Sequence, residues 1–500
     1  MKTRKVLLVV LIALMASALW AGGTRENVPS PGGALPIQMV CRLYEQPPDM
    51  DNFYWRTFQE RANVKLDVTW IPSADFTTRL NLILSSGDLP EVLGADYRNN
   101  AGFIRAVQQG AFWDLTPILG DFSDYPNLRD NSAPDSWKTS RVLGRNYGIP
   151  RTTSQWQGAP LVRKDLFDEA GLPMPTTMTE FLDGLEAIRR RHPDMLGMAL
   201  KDNLLISDGG FLGGFGGNDP YFNDEGGLVW SRLTPAYTKY LAFMREAYAR
   251  GLMSREYAVM QPTQAVDYFQ GGMAIAFIHE SARWCYPFQV SIREKTGNQN
   301  AEVMYVPPLV GDPGMYVGSI SLGWNDSFYI SSRVPREKVL QILGYFDSTA
   351  TPEFYELSTY GVEGVHWTRD ANGNRVTNAQ RDRDLGQTNP WQVLPGYYYA
   401  YQKIDSTAAP ESYNERMRNI FDEQMFATRN KINPFQIINS ARWAQAWPRF
   451  ESNWLSQAAQ FVSGQITLEQ YQAYVDTINR DPDMRAGYRE FAEQYREIFF

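Results

Sequence analysis

The sequence predicts an α/β fold with two lobes and a helical C-terminal region, on the basis of three observations. Predicted strands alternate with helices between residues 35 and 110, as in right-handed βαβ units of a mainly parallel sheet. An extended stretch from 147 to 165, punctuated by Gly148 and Pro150, leads into a second group of strands and helices. From residue 411 onwards only helices are predicted. A connector of this kind between two lobes is typical of a hinge.

The elements before the connector follow from apolar periodicity and from residues that stop helices. Alternating apolar side chains indicate strands, and Gly87 and Gly110 end two of the helices. The predicted strands are 37–43, 64–70 and 90–94, and the predicted helices are 51–62, 74–86 and 100–109.

The elements after the connector are predicted in the same way. Thr177 and Glu180 form a capping box that opens an amphipathic helix, and a second capping box is formed by Thr467 and Gln470. The chain is expected to cross back at 301–307 and to cross a third time between 361 and 395. Further helices are predicted at 235–250, 263–270, 336–348, 411–427, 441–462 and 468–479, and strands at 161–162, 273–277 and 318–330.

Charge and aromatic content limit the classes of partner. The net charge of -8 gives no electrostatic reason to bind nucleic acid or an anionic membrane surface. The chain has 14 Trp, 27 Tyr and 26 Phe. These rings either pack in the core or line a cleft with flat faces for a sugar, and composition alone favours packing.

The N-terminus has the pattern of a secretory signal peptide. Lys2, Arg4 and Lys5 precede an apolar run over 6–14, followed by small residues. We predict a signal peptide at 1–21, with cleavage after Ala18 or Ala21, and a flexible leader at 22–34. Because no cysteine lies near that site, we expect a soluble exported protein in the periplasm or at the cell surface. Cys41 and Cys285 are expected to be free, buried thiols.

Candidate binding residues lie where the predicted strands end and where the chain crosses between lobes. Ligands of open α/β sheets bind beyond the carboxyl ends of the strands. Cleft-lining groups of a sugar site are aromatic faces and charged side chains, and about half of the candidates are expected to line the cleft. The candidates are Tyr44, Glu45, Asp96, Tyr97, Arg151, Trp156, Glu280, Arg283, Trp284, Trp324, Trp367 and Trp391.

An enzyme is the main alternative. A secreted glycosidase or lyase needs a pair of carboxylates, which the sequence neither marks nor excludes. His192, His279 and His366 are scattered without metal-ligand spacing, and no G-x-S-x-G motif is present. The glycine-rich segment 207–218 lacks a lysine for phosphates and is predicted to be a mobile or closely packed loop. No repeats favour an adhesin or scaffold.

Several motifs in order resemble one family. The export segment, Glu60 to Trp70 and Ser85 to Val92 are similar to extracellular solute-binding proteins of carbohydrate ABC transporters. The connector from Tyr147 to Thr177 and the run Tyr360 to Trp367 resemble the LplA-like, or YtcQ-like, oligosaccharide-binding branch. The C-terminal stretches 461–466 and 471–479 agree with this resemblance.

This resemblance implies a periplasmic-binding-protein-like fold of type II with a three-segment hinge. It implies a monomer without enzymatic activity or cofactor, which closes on a carbohydrate and presents it to membrane permease subunits. The first lobe is expected at 35–150 plus 300–365 and the second at 151–299 plus 366–500. In this family a tryptophan at the position of Trp284 stacks on the sugar.

A calcium loop is present in some relatives, and residues 370–381 were compared with it. Asp370, Asn372 and Asn374 offer oxygen ligands at the first, third and fifth places. Arg375 and Arg381 stand where an EF-type loop needs glycine and glutamate. We therefore expect a hairpin turn at Asn372-Gly373 and no metal ion.

Overall fold

The computed structural model describes residues 33–96, 100–200, 205, 209–257, 260, 262–371, 373–386, 388–424 and 431–500. Two five-stranded sheets, each with helices packed against it, form two lobes as predicted. The strands are β1 Leu35–Leu43, β2 Val64–Pro72, β3 Val92–Ala95, β4 Gly148–Thr152, β5 Trp156–Arg163, β6 Leu196–Leu200, β7 Ala274–Glu280, β8 Val303–Tyr305, β9 Ser319–Ile320, β10 Trp324–Ile330, β11 Trp367–Arg369 and β12 Arg375–Thr377.

The helices of the described residues are mostly those that the periodicity predicts. They are α1 Phe53–Ala62, α2 Phe76–Ser86, α3 Ala101–Gln108, α4 Thr116–Leu119, α5 Pro126–Asp130, α6 Ser136–Thr139, α7 Lys164–Ala170, α8 Met178–Arg191, α9 Pro235–Ala249, α10 Pro262–Gln270, α11 Cys285–Thr296, α12 Arg336–Thr349, α13 Pro352–Tyr360, α14 Ala379–Leu385, α15 Glu411–Glu423, α16 Ala441–Ala446, α17 Glu451–Val462, α18 Leu468–Arg480 and α19 Pro482–Phe499. Both predicted capping boxes are present, at α8 and α18.

Each sheet contains one strand that runs against the others, and the crossings explain why. The first sheet has the order β2-β1-β3-β10-β4, with β10 antiparallel to β3 and β4. The second has the order β6-β7-β5-β8, with β5 antiparallel to β7 and β8. Both β5 and β10 come directly after a crossing. Each of these two strands therefore begins at the edge of its sheet that faces the other lobe. The other strands of the same sheet end at that edge.

Three short crossings join the lobes, at 153–155, 321–323 and 395–403, and hydrogen bonds tie them together. Thr153 N donates to Gly323 O at 2.8 Å, and Ser321 N donates to Gln155 O at 2.6 Å. Gln402 Oε1, on the third crossing, accepts from Ser154 N and from Thr153 Oγ1, both at 2.9 Å. All three crossings therefore form one hydrogen-bonded hinge.

The pairing of β8 differs from the expected crossing at 301–307. Residues 303–305 pair with β5 of the second sheet, so the chain returns only at 321–323. Residues 385, 393 and 394 pack in the core of the first lobe, and Ile404 packs in the second. We therefore propose lobes of 35–152 plus 324–394 and of 156–320 plus 404–500, in place of the borders at 300 and 365. Short apolar stretches do not reveal which sheet they join.

The structure bears on three other expectations. The predicted helix 441–462 is divided into α16 and α17 by a 3-10 turn, Trp447–Arg449, that contains Pro448. Cys41 and Cys285 are buried and form no disulfide, as predicted. The described part of the glycine-rich segment is closely packed, because a Cβ on Gly213 would lie 2.9 Å from Tyr316 O.

Candidate functional site

A cavity of about 300 Å³ lies beside the hinge, between the two lobes. The second lobe contributes the turn after β7, the first lobe contributes α13, α14 and the segment around Trp391, and the third crossing closes one side. The lining residues are Arg283, Trp284, Pro287, Tyr355, Thr359, Tyr360, Arg381, Asp382, Thr388, Trp391, Gln402, Asp405, Ser406, Thr407 and Ala408.

The turn after β7 positions Trp284 at this cavity. β7 ends at Glu280, and a 3-10 turn, Ala282–Trp284, leads into α11. Arg283 N donates to Lys403 O at 2.9 Å, which connects the turn to the third crossing. One face of Trp284 stacks on Phe288, with ring centroids 6.0 Å apart and an interplanar angle of 26°. Trp284 is half-buried and lines the cavity, so part of its ring faces the space between the lobes.

Trp391 lines the cavity from the first lobe. It lies in a 3-10 turn, Asn389–Gln392, and packs edge-on against Tyr355 with centroids 5.2 Å apart. Tyr355 also packs edge-on against Tyr399 at 5.3 Å. Burial raises the pKa of Tyr355 well above its ordinary value, so its phenol stays neutral. This wall therefore carries both aromatic rings and phenol hydroxyl groups.

The charged groups at the cavity are held by hydrogen bonds. Arg381 is buried, and its Nε and Nη2 donate to Thr359 O at 3.0 and 2.6 Å. Asp405 accepts from Tyr399 Oη at 2.6 Å and from Arg418 Nη1 at 2.8 Å. Burial raises the pKa of Asp405, and these two donors oppose the rise. A rigid polar frame around flat rings suits the binding of a polyhydroxylated ligand.

Three of the predicted residues lie in this cavity, namely Arg283, Trp284 and Trp391. Glu280 ends β7 close by along the chain, and Tyr97 lies outside the described residues. Glu45 is near the cavity wall but has a structural role: its Oε1 accepts from Thr388 N at 2.6 Å and from Asn389 N at 3.2 Å. Its carboxylate thereby holds the turn that carries Trp391.

Two predicted residues face a different part of the first lobe. Tyr44 is 53% exposed at the end of β1, and its hydroxyl accepts from Arg42 Nη1 at 3.3 Å. Asp96 lines a groove between α2 and α3. The carboxyl edge of the first sheet thus carries these side chains, as predicted, but they do not line the hinge cavity.

Four predicted residues are interior and are corrected to structural roles. Arg151 is paired with Asp326, with Nε and Oδ1 2.5 Å apart. Trp156 packs between Tyr305 and Phe421 in the second lobe. The other two are indoles whose Nε1 donates inside the first lobe, Trp324 to Thr139 Oγ1 and Trp367 to Gly361 O. All four are less than 7% exposed.

Most residues of the cavity wall formed by α13, α14 and the third crossing were not among the predicted site residues. Tyr355, Tyr360 and Arg381 fall on helices whose apolar faces are ordinary, so periodicity gives no signal for them. The aromatic run 397–401 next to the third crossing, which holds four tyrosines, was the available signal.

The two lobes, the hydrogen-bonded hinge and the cavity between them define a two-lobed binding protein that encloses a small ligand. The profile of the bacterial extracellular solute-binding protein family matches residues 46–332, and the chain belongs to this family. It is thus a binding component and not an enzyme, and the glycosidase or lyase alternative is not supported. Membership of this extracellular family implies export.

Two relatives of Bacillus subtilis (strain 168) illustrate the similarity. The chain is 25% identical to the polygalacturonan/rhamnogalacturonan-binding protein YtcQ over 515 aligned positions, which cover 100% of this chain and 99% of YtcQ. It is 26% identical to the lipoprotein LipO, over 82% of each chain. The alginate-binding protein AlgQ2 shares the fold, with a TM-score of 0.64, 16% identity and coverage of 93% of this chain and 98% of that one.

Two further features bear on metal ions and membranes. Trp367–Arg369 and Arg375–Thr377 form a two-stranded hairpin at the segment compared with a calcium loop, and Asp370 N donates to Asn374 O at 2.9 Å. Within the described residues, no group of three or more His, Cys, Asp or Glu side chains is placed to hold a metal ion. No helix among those residues combines the length and apolar character needed to cross a bilayer.

Proposed function

We propose that this protein captures an oligosaccharide between its lobes as the substrate-binding component of an ABC importer. The observation that carries the proposal is the cavity that brings Trp284 of the second lobe opposite the first-lobe wall of Trp391 and Tyr355. Flat rings pack against the C–H faces of sugars, while fixed polar groups bind the hydroxyls. The similarity to YtcQ, a polygalacturonan/rhamnogalacturonan-binding protein, supports a carbohydrate ligand.

Capture depends on ligand contacts to both lobes. A ligand that touches Trp284 and Trp391 together binds the closed arrangement better than an open one, and therefore shifts the population towards closure. The short crossings absorb this rotation, since each lobe has its own sheet and core. The closed form is then the one that docks on the permease subunits.

We also propose that a signal peptide at 1–21 is cleaved during export and that the mature protein is soluble. LipO is named a lipoprotein, whereas the cysteines of this chain are Cys41 and Cys285. Mass spectrometry of the secreted protein is expected to find a mature N-terminus after Ala18 or Ala21 without an acyl chain. A lipid-modified N-terminus would overturn this part.

Calorimetric titration with oligosaccharides tests the binding proposal. Trp284→Ala is expected to weaken binding about fivefold or more, since an aromatic contact contributes roughly 0.5–1.5 kcal/mol beyond the apolar area that it buries. Tyr268→Ala is the matched control, because Tyr268 is 44% exposed on α10 and does not line the cavity. Equal affinities of the two variants, or cleavage of the bound sugar seen by chromatography, would contradict the proposal.

A further inference from the structure

A second and larger recess lies on the first lobe, outside the hinge cavity. It occupies about 740 Å³ between α2 and α3, and we call it the α2–α3 groove. Because α2 follows β2 and α3 follows β3, the groove begins at the carboxyl edge of the first sheet and runs along both helices. Its lining residues are Arg42, Thr77, Leu80, Asn81, Leu84, Ser85, Asp96, Asn100, Gly102, Arg105, Ala106 and Gln109.

Arg42 contributes a fixed cation to this groove. Its guanidinium lies over the ring of Phe76, 4.4 Å from the centroid, and Nη1 donates to Tyr44 Oη at 3.3 Å. Its Nε is buried and has no acceptor among the described residues, where Arg42 also forms no salt bridge. Arg42 lines the groove, so the guanidinium charge, rather than the buried Nε, is what an anionic ligand would meet.

A second guanidinium and two amides converge further along the groove. A Cβ at Gly102 would lie 3.2 Å from Asn100 Oδ1, and 3.8 Å from both Asn81 Oδ1 and Arg105 Nη2. Asn100 Nδ2 donates to Asn81 Oδ1 at 3.2 Å, which fixes the two amides relative to each other. Arg105 is exposed and forms no salt bridge within the described part of the chain. Glycine at 102 keeps this side of the groove open to a ligand.

The charge and size of the groove together define the ligand. Two guanidiniums and one carboxylate, Asp96, line it, although the whole chain has a net charge of -8. This local excess of positive charge favours an anion. The volume falls within the usual range of sites for small organic molecules, roughly 300–1,000 Å³, and far exceeds that of a single inorganic ion. Side chains of Thr77, Ser85 and Gln109 add partners for hydroxyl groups.

We propose that the α2–α3 groove is a second binding site, which takes a carboxylate-bearing sugar unit with Arg42 and Arg105 as its anion-binding groups. The sugar part rests on the proposed function. A guanidinium presents a planar fork of donors that matches a carboxylate, and charge-assisted hydrogen bonds of this kind are the strong ones. The amides and hydroxyls of the groove bind the remaining oxygens of the sugar.

The test compares the wild type with Arg42→Gln, Arg105→Gln and the control Arg79→Gln. Arg79 is an exposed arginine of α2 outside the groove lining, so Arg79→Gln changes the net charge by the same amount as either groove variant. Calorimetry would use trigalacturonate, the same trisaccharide with its carboxyl groups reduced to alcohols, and inorganic phosphate. We expect each groove variant to lose about tenfold or more in affinity for trigalacturonate, and the control less than about twofold.

The remaining outcomes separate this proposal from the binding function itself. Trigalacturonate binding that needs Trp284 but is unchanged in both groove variants would overturn the groove site alone. Absence of trigalacturonate binding would overturn the groove site, whereas the proposed function fails only if no oligosaccharide binds. Phosphate that binds as tightly as trigalacturonate, with the same dependence on Arg105, would overturn the assignment to a sugar. Because Arg105 is exposed, its variant is expected to fold, and a melting curve checks this.

Discussion

At the residue scale, the sequence-based candidates separate by burial. Arg283, Trp284 and Trp391 line the hinge cavity, whereas Arg151 and Trp324 are interior. All of these lie near a crossing or a strand end, where the sequence predicts function. The difference arises because some strand ends are covered by another crossing and others open into the space between the lobes. Position along the chain does not contain that information.

The Arg151–Asp326 pair gives the first prediction. Both side chains are at most 10% exposed, and a second bond joins Arg151 Nη2 to Asp326 Oδ2 at 3.0 Å. Arg151→Gln leaves a buried carboxylate without its cation, so the free energy of unfolding should fall by about 3–5 kcal/mol. Urea unfolding measures this. Arg129→Gln removes an exposed pair with Asp130 and should cost less than about 1 kcal/mol.

The two cysteines give the second prediction. Burial raises the pKa of the Cys41 thiol, so it stays protonated in the folded protein. We expect a thiol reagent to label neither cysteine in the native state at pH 8, and both in unfolded, unreduced protein. Because the pKa of the Cys41 thiol is raised in the folded state, the stability that depends on its protonated form is present below the ordinary thiol pKa of about 8.5. That stability is lost as the pH rises above this value. Cys41→Ala should reduce that alkaline loss.

At the scale of single helices and strands, the residues that cap or stop a helix predicted its ends better than the length of its apolar pattern did. The capping boxes at Thr177 and Thr467 and the left-handed glycines at 87 and 171 mark helix ends where the structure has them. The predicted single helix 441–462 was wrong, since Pro448 cannot donate and the chain bends there. The bend lets Trp447 pack edge-on against Trp230, with centroids 4.6 Å apart. Trp447, Trp454 and Phe461 of this stretch are core residues of the second lobe.

The capping box of α8 gives the third prediction. Thr177 Oγ1 accepts from Glu180 N at 3.1 Å, and Glu180 Oε2 accepts from Thr177 N at 3.1 Å. Thr177→Ala removes the first bond and should lower the free energy of unfolding by about 1 kcal/mol. Thr78→Ala, at an exposed site within α2, should leave stability unchanged or raise it slightly. Equal losses in chemical denaturation would contradict a capping role.

At the scale of the whole molecule, each lobe has a core of its own. One is built around α8, α9 and the C-terminal helices, and the other around α1, α12 and the first sheet. Ile437 of the second lobe is also buried in a further cluster with Phe76 and other first-lobe residues, so rotation of one lobe against the other changes the packing at Ile437.

Closure gives the fourth prediction. Small-angle scattering should show a smaller radius of gyration when an oligosaccharide is added to the wild type at a concentration that just saturates it, and a smaller decrease for Trp284→Ala at the same concentration. Gln402→Ala should alter apparent affinity without altering fold, because Gln402 Oε1 joins the first and third crossings. A wild type that binds sugar without compaction would refute lobe closure as the mechanism.

The sequence by itself determined the α/β class, the two lobes and most helix ends, because these depend on local periodicity, turn residues and caps. The lobe borders that we propose and the lining of the hinge cavity depend on the tertiary structure. Strand β8 joins the second sheet, and Tyr355, Arg381 and Gln402 reach the cavity, through contacts between segments far apart in the chain. Such contacts depend on which faces the folded lobes turn towards each other, and no short stretch of sequence records that.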